Sequence, residues 1–180
     1  MQAHIFAEGS NTTAEDRNQP VKEYYQGLFG MVAGLHDELA ELTDAHLHVL
    51  SEEYGVASGE ERMTAVYGGE QKPVGGAEMA EQAKGDLIEA ATDADVMVIL
   101  LSTEVFNQTA CEVWDELVDA AKPESIWCVG AARSSLGAID FKELEEKGCA
   151  VLTYQRVGVA RIGTETRENL LETVAQKAAQ

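Results

Sequence analysis

The sequence predicts a three-layer α/β/α sandwich around a mostly parallel sheet of about five strands. Short apolar segments alternate with helix-period patterns along the chain, the order that builds a parallel sheet covered on both faces. One of them, Val96–Leu101, is apolar at every position, so neither of its faces meets water. No internal repeat, low-complexity tract or linker breaks the alternation, and 180 residues suit a single compact domain.

The predicted strands are His4–Ala7, His46–Leu50, Val96–Leu101, Ile126–Val129 and Cys149–Tyr154. Between the first two, Tyr25, Leu28, Val32, Leu35, Leu39 and Leu42 recur at three- and four-residue steps and predict one continuous amphipathic helix. Gly27, Gly30 and Gly34 lie on it; each costs about 1 kcal/mol against alanine, so close packing is the expected return. Further helices are predicted over Ala77–Ala91, from Asn107 to just before Pro123, over Asp140–Lys147 with Gly148 as a stop, and from Thr164 to the end. The stretch from Ser51 to Gly76 is rich in glycine and reads as a long irregular loop, of the kind that carries function.

Composition adds a solvent argument. Asp and Glu number 32 against 13 Lys and Arg, a formal charge of -19 spread along the whole chain rather than held in a tail. Molar salt shortens the Debye length to about 3 Å and screens such self-repulsion, so the chain reads as halophilic. In that setting acidity is background; it does not exclude nucleic acid, and only local basic clusters inform. No apolar run is long enough to span a bilayer. The first residues carry neither a charged n-region nor an apolar h-region, so a cytoplasmic chain without membrane attachment is expected. Cys111, Cys128 and Cys149 form no CxxC, and an odd count without export signal argues against a disulfide framework. Cys128 and Cys149 read as core residues, Cys111 as packing near a helix start, and Trp114 and Trp127 as core or sheet-covering.

In an open parallel sheet, ligands bind beyond the carboxyl ends of the strands. Those ends place Ser10, Ser51 and Ser102 on one edge, with Glu52, Glu53 and Tyr54 leaving the second strand as catalytic candidates. Four of the six arginines, Arg133, Arg156, Arg161 and Arg167, fall in or just after the last two of these loops. Arginine offers a bidentate fork for phosphate or carboxylate. Arg133 and Ser134 within Gly130–Gly137, together with Arg156 and Arg161, are therefore candidate ligand contacts, with pairing to acidic side chains as the structural alternative. Neither a GxxxxGK[ST] loop nor a GxGxxG fingerprint is present. His46 and His48 share one strand face, but no partner is fixed by spacing, and no metal site is assigned.

Tyr24-Tyr25-x-Gly27-Leu28-Phe29, followed by a helix and by Val49-Leu50-Ser51-Glu52-Glu53-Tyr54-Gly55-Val56, resembles the α/β domains grouped with the uracil-DNA-glycosylase-like fold and the peroxide-stress YaaA-type proteins. The resemblance covers about a fifth of the chain, Tyr24 to Glu60. It implies a nucleobase- or nucleotide-related site near Ser51 and Tyr54. The cysteine-containing loop usual after that family's first strand is absent, and Glu8-Gly9-Ser10 stands there. A looser similarity, to nucleoside deoxyribosyltransferase-like folds, rests on the strand from Asp95 to Leu101 leading to a helix that bears Glu112; the glycine usual before Thr109 is missing.

The function expected is thus that of a nucleotide- or nucleobase-related ligand-binding domain, as a binder or as an enzyme on a glycosidic or phosphorylated ligand. Two alternatives stay open. One is a non-catalytic module that forms homo-oligomers through the glycine-bearing helix. The other is metal-assisted hydrolysis through His46, His48 and a glutamate.

Overall fold

The computed structural model describes residues 1–10, 12–27, 29–67, 71–155 and 162–180. In chain order the elements are β1 (Gln2–Glu8), α1 (Val21–Tyr24), α2 (Phe29–Ala40), β2 (Asp44–Ser51), β3 (Gly55–Ser58), α3 (Met63–Val66), α4 (Gly76–Asp93), β4 (Val96–Leu100), α5 (Thr103–Gln108), α6 (Trp114–Ala120), β5 (Ile126–Ala131), α7 (Arg133–Gly137), α8 (Lys142–Glu146), β6 (Ala150–Gln155) and α9 (Thr164–Ala178).

The strands form one sheet in the order β3-β2-β1-β4-β5-β6. All neighbouring pairs are parallel except β2 with β3, which form an antiparallel hairpin at one edge. The five expected strands are all present; β3 is an addition inside the stretch read as a loop. Its pairing starts at Gly55, where φ is +93°, a conformation that glycine adopts without steric cost.

Alternation along the strands divides the core into two layers. Ile5, Val98 and Cys128 face one layer with Val32, Leu35 and Leu39 of α2 and Leu170 and Val174 of α9. Phe6, Ile99 and Trp127 face the other with Leu87 of α4, Phe106 of α5, Trp114 and Leu117 of α6 and Leu144 of α8. Every residue of β4 is buried, and the strand lies between β1 and β5; its continuous apolar run is what a strand covered on both faces requires. Burial pushes the Cys128 thiol up to about 12, as befits a core residue. From β1 the chain steps one way to β2 and the other way to β4, so α2 and α4 lie on opposite faces.

Two predicted helices are interrupted. The first is not continuous from Tyr25. Tyr25 instead bridges Thr13 as an isolated β-pair, Gly27 takes φ +68°, and α2 begins at Phe29. Backbone bonds from Ala14 to Tyr24 and from Gln26 to Thr12 hold this crossing. Here long-range pairing overrides the local period. The close packing expected of the glycines holds for Gly34, where an added Cβ would lie 3.2 Å from Arg167 Nη2, but a Cβ at Gly30 would meet nothing within 4 Å. Leu28 lies outside the described residues. The second interruption falls at Thr109, with φ -120° and ψ -92°, between α5 and α6. Cys111 consequently sits in the turn between two helices, half-exposed, rather than at a helix start. The carboxyl end of α6 is closed by Lys147, whose Nζ donates to the carbonyls of Val118, Asp119 and Ala121 at 2.6, 2.8 and 2.9 Å.

Among the described residues, no helix is long and apolar enough to cross a membrane.

Candidate functional site

A cleft of about 590 Å³ opens at the carboxyl ends of β1, β2 and β4. The strand order reverses direction between β1 and β4, which is where an open α/β sheet leaves a crevice between helices of opposite faces. Glu8, Gly9 and Ser10 enter it from β1, Ser51, Glu52 and Glu53 from β2, and Ser102 and Glu104 from the turn into α5.

Each group is held by its local backbone. The Glu8 carboxylate accepts the Ser102 N–H across the β1–β4 junction. Ser102 caps α5, its Oγ accepting the Val105 N–H at 3.5 Å. Ser51 Oγ accepts the Glu53 N–H at 3.1 Å. Ser10 Oγ lies 2.8 Å from the carbonyls of both Thr12 and Gln26 and so pins the crossing that carries Tyr25. Glu52 lies beside the start of α4, with its Oε1 3.0 Å from the place of a Cβ on Gly76, where the helix dipole favours negative charge.

Tyr25 forms the back of the cleft and is 6% exposed. Its hydroxyl is 2.9 Å from that of Tyr54, which stands behind it. Burial is the first cause that raises the Tyr25 phenol above its ordinary value, against the opposing hydrogen bonds from Tyr54 and Ser51. Burial likewise raises Tyr54, helped by Tyr25. Both therefore stay protonated, as hydrogen-bond donors rather than phenolates. Arg17 is the one cationic side chain among the cleft residues. Its guanidinium lies 5.9 Å from the Tyr24 ring centre and 5.6 Å from that of Tyr67, and it donates to the Tyr67 carbonyl at 3.3 Å.

Comparison with family models, with curated proteins and with solved structures finds no match. The site therefore rests on its own chemistry. Four carboxylates, Glu8, Glu52, Glu53 and Glu104, line the cleft against one guanidinium, and none of the four makes an ion pair among the described residues. Such a surface accepts hydrogen bonds from hydroxyl and ring N–H groups and favours positive charge.

Of the residues singled out from sequence, Ser10, Ser51, Ser102, Glu52 and Glu53 meet in the cleft, and Tyr54 reaches it through Tyr25. Arg133 and Ser134 are exposed at the start of α7 and do not line it. Arg167 does not turn to this edge: it pairs with Glu38 of α2 and donates to the Met31 carbonyl. Arg156 and Arg161 lie outside the described residues. Glu112 is not borne by a helix: it lies in the turn between α5 and α6, exposed and paired with Lys84 at 3.1 Å. His46 and His48 do share a face, each with its ring against that of His4. Among the described residues, no group of three His, Cys, Asp or Glu side chains could hold a metal ion.

Sequence reasoning places Glu8 and Glu104 in loops at this edge without making them site residues, and it does not bring Arg17 or Tyr25 to the cleft. The signal for Glu8 was present, since it ends β1 and so points to the ligand edge. Tyr25 was hidden by its apparent place in a helix.

Gly9 tests this arrangement. A Cβ there would stand 2.4 Å from Tyr25 Cζ and 2.8 Å from its hydroxyl. Gly9→Ala is expected to displace the ring and to destabilise the fold by about 1–3 kcal/mol, read from urea unfolding in molar KCl. An unchanged midpoint would mean that Tyr25 is not packed against this strand end.

Proposed function

We propose that the cleft binds a nucleoside or nucleobase in unphosphorylated form, and that the chemistry it serves is cleavage or transfer at a glycosidic bond. The single observation that carries this reading is the excess of carboxylates, four against Arg17, around the buried Tyr25 hydroxyl at the crevice between β1 and β4. A phosphate would meet repulsion from four sides. A ribose presents hydroxyl donors to the same carboxylates, and a base presents ring N–H groups. Glycosidic cleavage develops positive charge on the sugar, which an anionic cleft stabilises. Glu8, held by the Ser102 N–H, is the carboxylate best fixed for that role. The resemblance of the Tyr24–Glu60 segment to nucleobase-related domains supports the same ligand class. Self-association finds less support: the exposed large hydrophobics among the described residues are Met1 and Leu42.

Calorimetry in molar KCl with adenosine, cytidine, their free bases and their monophosphates tests the proposal. Nucleosides or bases are expected to bind more tightly than the matching monophosphates. Glu8→Gln is expected to weaken that binding by about 1–3 kcal/mol, the loss typical of a charged hydrogen bond. Chromatography for released base then reads the reaction. Preference for the monophosphate, or absence of binding across the panel, would overturn the ligand assignment. Tight binding with no released base, in the presence or absence of an acceptor base, would overturn the glycosidic chemistry alone.

A further inference from the structure

A second cavity, of about 450 Å³, lies between the carboxyl half of α4 and the strands β1, β2 and β3, and shares no lining residue with the carboxyl-edge cleft. Its most ordered feature is a chain of hydrogen bonds. His4 Nε2 is 2.9 Å from Asp93 Oδ1, and His4 Nδ1 is 2.9 Å from His48 Nε2. A carboxylate only accepts, so His4 Nε2 donates to it. Neutral His4 then carries its lone pair on Nδ1, which accepts the His48 Nε2–H. The chain leaves His48 with a bare lone pair on Nδ1, for which no partner exists among the described residues.

The ring is held in place. His48 stacks on Phe6 at 4.3 Å and 10°, and lies nearly coplanar with His4, edge to edge, at 5.2 Å and 21°. Burial, followed by His4 and His46, lowers its pKa to about 4, so the lone pair is present at neutral pH. The titratable groups that line the cavity or act on His48 are His4 and His46 on the strands, Glu61 after β3, and Asp86, Glu89 and Asp93 on α4. Glu61 is occupied by the Ser58 N–H at 2.9 Å. Asp86 is half-buried with no hydrogen bond or ion pair among the described residues, and its carboxyl is raised by burial and then by Glu89. Neither lysine nor arginine is among the lining residues, and Val56 and Ala90 supply apolar wall.

The geometry points to a second ligand site, in which His48 Nδ1 accepts a hydrogen bond from a protonated alkylamine whose charge Asp86 and Glu89 balance and whose carbon stem lies on Val56 and Ala90. The imidazole selects for an N–H donor, the carboxylates for positive charge, and the volume falls within the range of small-molecule sites. This site does not depend on the reading of the carboxyl-edge cleft.

Calorimetry with putrescine at neutral pH in molar KCl tests it, with butanediol of the same length as the uncharged control. Putrescine is expected to give saturable heat and butanediol none. His48→Phe keeps a ring against Phe6 but removes the acceptor, and Asp86→Asn removes the charge. Each is expected to weaken putrescine binding at least about tenfold, the loss of one charge-assisted hydrogen bond. Near-ultraviolet circular dichroism checks that both variants are folded; Asp86→Asn, at a half-exposed helix position, decides the matter if His48→Phe is not. No putrescine heat, equal heat from butanediol, or unchanged affinity in the folded variants overturns the assignment.

Discussion

Trp127→Ala is expected to cost about 3–5 kcal/mol of stability. Trp127 is 1% exposed on β5 and meets the Trp114 ring edge-on at 5.9 Å; Trp114 in turn meets Phe141 edge-on at 5.5 Å. Truncation empties the centre of the layer that α6 and α8 build with the sheet. It also removes the indole N–H that donates to Ser125 Oγ at 3.0 Å. Ser125 still donates to the Lys122 carbonyl at 2.7 Å, so the polar loss is partial and the cavity dominates. Urea unfolding in about 3 M KCl reads the change, with Trp127→Phe expected to cost less because it refills most of the volume. A cost below about 1 kcal/mol for the alanine variant would show that this layer is loosely packed.

The second large effect is that of salt. The thermal midpoint is expected to rise by about 10 °C or more between 0.1 M and 3 M KCl. With 32 acidic residues against 13 cationic ones, most carboxylates have no cation to pair with. Several of the cations present are already shared or spent: Lys22 between Asp37 and Glu60, Lys84 between Glu81 and Glu112, and Arg167 on Glu38. Folding concentrates the surplus on one surface. The Debye length falls from about 10 Å to about 3 Å on going from 0.1 to 1 M salt, so most of that repulsion is screened away. Relief of about 4 kcal/mol corresponds to a shift of this size in a domain of this length. Potassium chloride is the right probe, because sulfate and other excluded salts stabilise most folds irrespective of charge. A flat or falling midpoint would show that the surplus charge does not govern folding.

A topological rule alone puts Ser10, Ser51 and Ser102 on one edge, because each ends or follows a parallel strand. Glu8 obeys the same rule. Tyr25 was not legible: its spacing from Val32 and Leu35 matches a helical stripe, and only the pairing with Thr13 takes it out of the helix. The same rule makes the arginine-bearing loops neighbours on that edge, but Arg167 sits inside α9, and the helix directs it onto α2. A loop's edge follows from topology; a side chain's direction follows from the rotation of the element that carries it.

The sequence by itself determined the layers. A strand buried on both faces must be apolar at consecutive positions, and a helix covering a sheet must repeat its apolar residues every three or four, so Val96–Leu101 and the α2 stripe declare their environments locally. The tertiary structure decided everything that depends on register between distant segments. Pairing of His4 with His46 and of Phe6 with His48 assembles the ring stack and the chain to Asp93, although these residues are more than forty positions apart. The acidic cleft likewise exists only once β1, β2 and β4 align their carboxyl ends. Local patterns record whether a residue is buried, whereas contacts between segments also need the order of the strands in the sheet, which one chain's periodicity does not encode.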